Sequence, residues 1–308
     1  MRPHLLAAAL TALTSTLVAC DRGAPPLRAA EVPRAHGSTD DPEPSRQYGA
    51  ARPMGRGQAR TYVALDRRTG APVEVGVALD EGALEGLPAP MKMRATSNDR
   101  HEHVDSHVFE LPMPAPNGTP YRFVELDWNP GGHEPAGVYD VPHFDFHFYT
   151  VDAAVRNAID PKALGEPQFL AKSAALPPEA ERAPAFVALA PPGTPVTAVP
   201  RMGVHWIDPK TPELQGLFGR PEAFRPFTTT FIHGSWDGRF IFDEPMITRA
   251  YILGRKAASE PAQRDTVIPL PTPERFTPGG YYPSAYRILY DTEAREYRIA
   301  LTQLAKRG

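Results

Sequence analysis

Apolar and polar residues alternate with a period of two in several stretches of the chain. This pattern marks strands whose successive side chains point to opposite faces. Residues 61–65 and 73–79 carry it on either side of Arg67-Arg-Thr-Gly-Ala-Pro72, a turn-rich break suited to a hairpin. Residues 121–128 and 143–149 follow. Residues 228–233 and 239–244 surround Ser235-Trp-Asp-Gly238, whose Asp-Gly pair supplies the positive φ of a tight hairpin turn. Residues 285–290 and 296–301 form a last pair around Asp291-Thr-Glu-Ala-Arg295. Helical periodicity is confined to residues 151–159 and 212–217, and no internal repeat is visible. The pattern predicts a mainly β single domain over residues 61–308. It would be a sandwich or barrel with Pro-rich loops and one or two short helices. The Pro- and Ala-rich residues 171–200 read as a long surface excursion.

The N-terminal segment sets the expected compartment. Arg2 precedes an uncharged, Ala- and Leu-rich stretch over residues 5–19. At about 15 residues it is shorter than the roughly 20 needed to span a bilayer and has the size of a signal-peptide apolar region. It runs into Leu17-Val18-Ala19-Cys20, which resembles the bacterial lipobox. The resemblance implies a signal peptide over residues 1–19, cleaved before a lipidated Cys20. The protein would then be anchored to the cell membrane, facing the periplasm or the cell surface. Two or more acyl chains in one leaflet anchor a protein stably. Asp21 is similar to an enteric inner-membrane retention signal. Residues 20–60 are rich in Pro, Ala, Gly and charge without apolar periodicity, and read as a disordered tether.

Composition removes several kinds of chemistry. Cys20 is the only cysteine, so a lipidated form has no disulfide, thiolate nucleophile or cysteine zinc site. Lys and Arg number 33 against 36 Asp and Glu, a balance without the basic surplus of a nucleic-acid-binding protein. Neither a Gly-x-Ser-x-Gly elbow nor a phosphate-binding glycine loop occurs. Any metal must be held by His, Asp or Glu.

The most informative segment is Val141-Pro-His-Phe-Asp-Phe-His-Phe-Tyr-Thr150. Its alternation places Phe144, Phe146 and Phe148 on a core face and His143, Asp145, His147 and Tyr149 on the other. That second face lines either a polar cavity or solvent. Residues two apart on a strand lie about 6.6 Å apart, and His143 and His147 roughly 13 Å, so one shared ion requires a curved strand. The candidate ligands are His143, His147 and His205, with Glu244 or His133 as a fourth, for a divalent metal such as zinc. Asp145 is a candidate to orient an imidazole or, with Glu134, to act as general base if a metal-bound water serves hydrolysis. The competing reading is an envelope module without metal that binds a partner or assembles as a homo-oligomer. His101-Glu-His-Val-Asp-Ser-His107 is a second cluster, read as a polar loop or an accessory metal site.

His143-Phe-Asp-Phe-His-Phe-Tyr149, Gly132-His-Glu-Pro135, Met202-Gly-Val-His-Trp206 and Phe242-Asp-Glu-Pro-Met-Ile-Thr248 together resemble an uncharacterised family of exported, β-rich bacterial proteins. The resemblance spans about residues 100–255 and carries no activity to transfer. The His and carboxylate pattern is also loosely similar to cupins, which bind a metal inside a small β-barrel. Here it reads His-x-Asp-x-His, where cupins have His-x-His followed shortly by Glu.

Overall fold

The alternating stretches form antiparallel strands in a computed structural model that describes residues 43–90, 106–190 and 193–308. The expected signal peptide, Cys20, and His101 and His103 lie outside the described residues. In chain order the strands begin with β1 (Ser45–Tyr48), β2 (Arg52–Met54), β3 (Gly57–Leu65), β4 (Pro72–Asp80), β5 (His107–Pro112), β6 (Phe123–Asn129) and β7 (His143–Tyr149). Three short helices follow: α1 (Ala153–Asn157), α2 (Pro161–Leu164) and α3 (Glu166–Ala174). Then come β8 (Val187–Ala188), β9 (Val204–Ile207), β10 (Thr229–Trp236), β11 (Arg239–Thr248) and the helix α4 (Arg249–Ala257). The chain ends with β12 (Asp265–Pro269), β13 (Gly280–Tyr282), β14 (Ala285–Asp291), β15 (Glu296–Thr302) and β16 (Ala305–Arg307).

These strands make a β-sandwich. One seven-stranded sheet has the order β1-β3-β4-β15-β14-β12, with β2 also paired to β3; the other runs β5-β6-β7-β11-β10-β9-β8. The middle of the chain therefore builds one sheet, and the strands before and after it build the other. Neither sheet closes into a barrel, and β13 and β16 form a small separate ribbon.

The sheets meet on the face expected to be core. Phe144, Phe146 and Phe148 stand opposite Trp128, Leu126 and Val124 in register, and the three phenylalanines are fully buried. Burying a side chain of that size contributes about 2–3 kcal/mol. Phe231 of β10 shares this face and packs against Tyr286 of β14, in the other sheet, with ring centroids 5.3 Å apart.

The opposite face of the second sheet is covered as well. Every residue of β6 and β7 is buried, including the polar ones. Residues from the connections supply the cover: Arg156 of α1 pairs with Glu125, and Phe227 and Tyr139 pack edge-on with ring centroids 4.9 Å apart beside His143. Of the two surroundings open to this face, the structure selects a buried polar layer rather than solvent.

Order begins before the expected boundary near residue 60, since β1, β2 and the start of β3 fall inside the stretch read as tether. The cause is pairing rather than periodicity. Ser45 to Tyr48 pair residue by residue with β3, and Arg60 lies 3.8 Å over the Tyr48 ring. Gly49 follows because a Cβ there would meet the Pro112 carbonyl oxygen at 2.2 Å. Short edge strands draw their stability from backbone hydrogen bonds and need little apolar sequence.

Candidate metal centre

The register of five strands, β6, β7, β11, β10 and β9, assembles the polar layer. On β6 and β7, Glu125 stands opposite His147, Asp127 opposite Asp145 and Asn129 opposite His143. Directly opposed side chains in an antiparallel pair are about 5 Å apart at Cβ. β11 pairs on the other side of β7, with Phe242 opposite Tyr149 and Met246 opposite Asp145, so Glu244 falls beside His147. His205 of β9 is in register with Gly234 of β10, which is in turn opposite Phe242. A Cβ at Gly234 would lie about 2 Å from the Phe242 ring, so only glycine leaves that ring its place. The Phe242 ring touches both His147 and His205, with centroids 4.9 and 5.4 Å away.

His133 reaches the same layer from the loop after β6. Gly132 adopts φ +75°, and a Cβ there would strike the Tyr139 carbonyl oxygen at 2.2 Å. That turn lets the His133 amide donate to Tyr139 O at 3.1 Å and stacks its ring edge-on to His143 at 4.6 Å.

Two sets of donor atoms result. In the first, His133 Nε2 and His143 Nε2 lie 3.3 and 3.2 Å from the two oxygens of Asp145. In the second, His147 Nε2 and His205 Nε2 lie 3.5 and 3.7 Å from the two oxygens of Glu244. Within each set the donor atoms all lie within 4.8 Å of one another, and a third set joins Glu125 and Asp127 to His147.

Two of the remaining ring nitrogens are tethered. His143 Nδ1 donates to the Val141 carbonyl and His133 Nδ1 to the Glu134 carbonyl, each at 2.7 Å. His147 Nδ1 lies 3.2 Å from Asp127 Oδ2 without hydrogen-bond alignment. A carbonyl only accepts, so it fixes the proton on Nδ1 and leaves Nε2 as the lone-pair nitrogen. Metal-binding histidines are held in this way.

Many of these atoms lack hydrogen bonds although they are buried. His143 Nε2, both ring nitrogens of His147, Asp145 Oδ1, both oxygens of Asp127 and Glu244 Oε2 have no hydrogen-bond partner among the described residues. Their separations of 3.2–3.7 Å give electrostatic attraction without hydrogen-bond alignment. Leaving buried polar groups unpaired costs about 1–3 kcal/mol each.

Charge is equally unbalanced. Burial raises Glu244, Asp127 and Glu125 above the ordinary carboxylate range. Asp145 goes the other way, because His143 and His133 outweigh its burial and hold it well below that range. Burial alone would lower His147, but Glu244 and Asp127 push it up to about 10. His205 is pushed down to about 3 by burial and by the neighbouring His147 and His133. Arg156 pairs with Glu125 and also reaches Glu110 at 3.1 Å.

The structure gathers His133, His143, Asp145, His147, His205 and Glu244 into one layer, but it separates His143 from His147 and His205. His143 and His147, expected as ligands of one ion, fall in different groups of donor atoms, because β7 is too extended for residues four apart to meet. Asp145 stands among the donor atoms rather than behind them. Glu134 is exposed and its carboxylate belongs to neither set, so its candidacy as general base is not supported by its position. His107 sits at the start of β5, its ring hydrogen-bonded to the Ala89 carbonyl at 3.0 Å, and joins neither set. Glu125, Asp127 and Asn129 were not foreseen as site residues. Their signal was present in Phe123, Glu125, Asp127 and Asn129, which alternate with Val124, Leu126 and Trp128 as β7 alternates. Asn129 donates from Nδ2 to Asp145 Oδ2 at 2.7 Å.

Residues 68–128 are similar to a family described as "TTHB210-like: Hypothetical protein TTHB210". The matched span runs from the turn before β4 to Trp128 and so includes Glu125 and Asp127. It includes neither the strand His143–Tyr149 nor Cys20. No curated protein and no solved structure matches the chain. The match is consistent with an uncharacterised family and brings no activity with it.

Proposed function

We propose that this chain is an exported lipoprotein, held at a membrane through Cys20, whose β-sandwich binds a divalent metal in the buried layer between β6, β7, β11 and β9. One observation carries the metal reading: four imidazoles each place Nε2 within 3.2–3.7 Å of a buried carboxylate oxygen. Imidazole and carboxylate donors suit zinc and neighbouring first-row metals. A bound cation would satisfy the unpaired nitrogens and oxygens and offset the excess of carboxylates. The donors are almost wholly buried, His133 and His205 being the most accessible at 17% and 11%. That enclosure favours a retained metal over an open catalytic position. The export reading rests on residues 2–20 alone.

Thermal unfolding of the full chain, with zinc and then with a chelator, tests the metal reading. A ligand that binds only the folded state at 100 times its Kd stabilises by about 2.7 kcal/mol. A clear fall in Tm on chelation, reversed by zinc, is the expected result. Equal Tm values in both conditions overturn the reading.

A further inference from the structure

We infer that the layer holds two cations, one in each triad of two histidines and a carboxylate, and that the ion at His133, His143 and Asp145 exchanges more readily than the ion at His147, His205 and Glu244. This inference rests on the metal reading above and extends it to stoichiometry and order of release.

Two observations lead to two ions. The triads share no member, and each brings its three donor atoms within 4.8 Å of one another. With zinc bonds of about 2.0–2.2 Å, the ligands of one ion lie within roughly 4.4 Å of each other. Each triad approaches that spacing separately, and β7 holds the two apart. The chemistry is also duplicated: two Nε2 atoms and one carboxylate in each case.

The order of release follows from the surroundings. His133 is carried on the Gly131-Gly132 loop and is the most exposed donor, at 17%. In the other triad all three residues come from strands inside the sheet, and Asp127 stands behind His147 at 3.2 Å. A carboxylate behind a ligating histidine typically strengthens metal binding 10–100-fold.

The test is a titration of the metal-stripped full chain with cobalt(II), followed by its visible absorption and by elemental analysis. The expected result is two equivalents per chain in two phases, the weaker removed first by a competing chelator. His143→Gln should then keep only the tight phase and His205→Gln only the weak one. The stoichiometry counted in a His101→Ala/His103→Ala background, which breaks up the second histidine cluster, decides the question even if either variant fails to fold. One equivalent in that background overturns the inference while leaving the metal reading standing. No cobalt bound at any concentration overturns both.

Discussion

Asp127 Oδ2 lies 3.2 Å from His147 Nδ1, on the side of the imidazole away from Glu244. The contact joins neighbouring strands, β6 and β7, and both residues are buried to within about 1%. Asp127 thereby orients the ring and keeps Nε2 directed at Glu244.

Replacing Asp127 with Asn should keep the shape of the side chain and weaken its grip on the ring. The expected outcome is a loss of zinc affinity of about 10–100-fold with the fold intact. Competition against a chromophoric chelator measures it. Unchanged affinity would show that His147 does not ligate through Nε2.

Metal binding should release protons. In the metal-free layer, Glu244 and Asp127 raise His147 to about 10, and burial raises Glu244. His147 and Glu244 hold protons at neutral pH that a cation must displace. Affinity should therefore rise from pH 6 to pH 9 rather than fall, as metal and proton compete for the same atoms. Calorimetry in buffers of different ionisation enthalpy reads the proton count directly. A pH-independent affinity would contradict this account of the layer.

Much of this arrangement was legible in the sequence, and the rest depends on long-range pairing. The alternation in residues 143–149 assigned both faces of β7, and its spacing already argued against one ion shared by His143 and His147. The same alternation in residues 123–129 was readable, but only the register of β6 on β7 makes Asp127 and His147 neighbours. His205 and Glu244 were candidates by residue type. Their approach requires the order β7-β11-β10-β9 and the missing side chain at Gly234, neither of which local periodicity encodes. β1 and β2 were hidden because edge strands as short as Ser45–Tyr48 are specified by their partner's backbone. The sandwich was preferred over the barrel by sheet order alone, since both share the same strand signals.

Gly234→Ala should disturb stability and site together. The new Cβ would overlap the Phe242 ring, which packs on His147 and His205. Overpacking of this kind costs about 1–3 kcal/mol. Chemical denaturation should show that loss, and zinc affinity should fall in the same variant. A variant with wild-type stability would mean that the Phe242 ring moves aside freely.

Cys20→Ser addresses the export reading separately. The wild type should partition with membranes and carry an acylated N-terminal cysteine by mass spectrometry, whereas the variant should lose the acyl groups and remain uncleaved. An unacylated wild-type N-terminus would refute lipidation and leave the metal layer unaffected.

The most direct test of the central claim is the metal content of the purified full chain, measured beside His147→Ala. The account predicts near-stoichiometric or higher divalent metal in the wild type, and a loss of about one equivalent in the variant. A wild-type protein that holds no metal, even after incubation with zinc and removal of the excess, would contradict it.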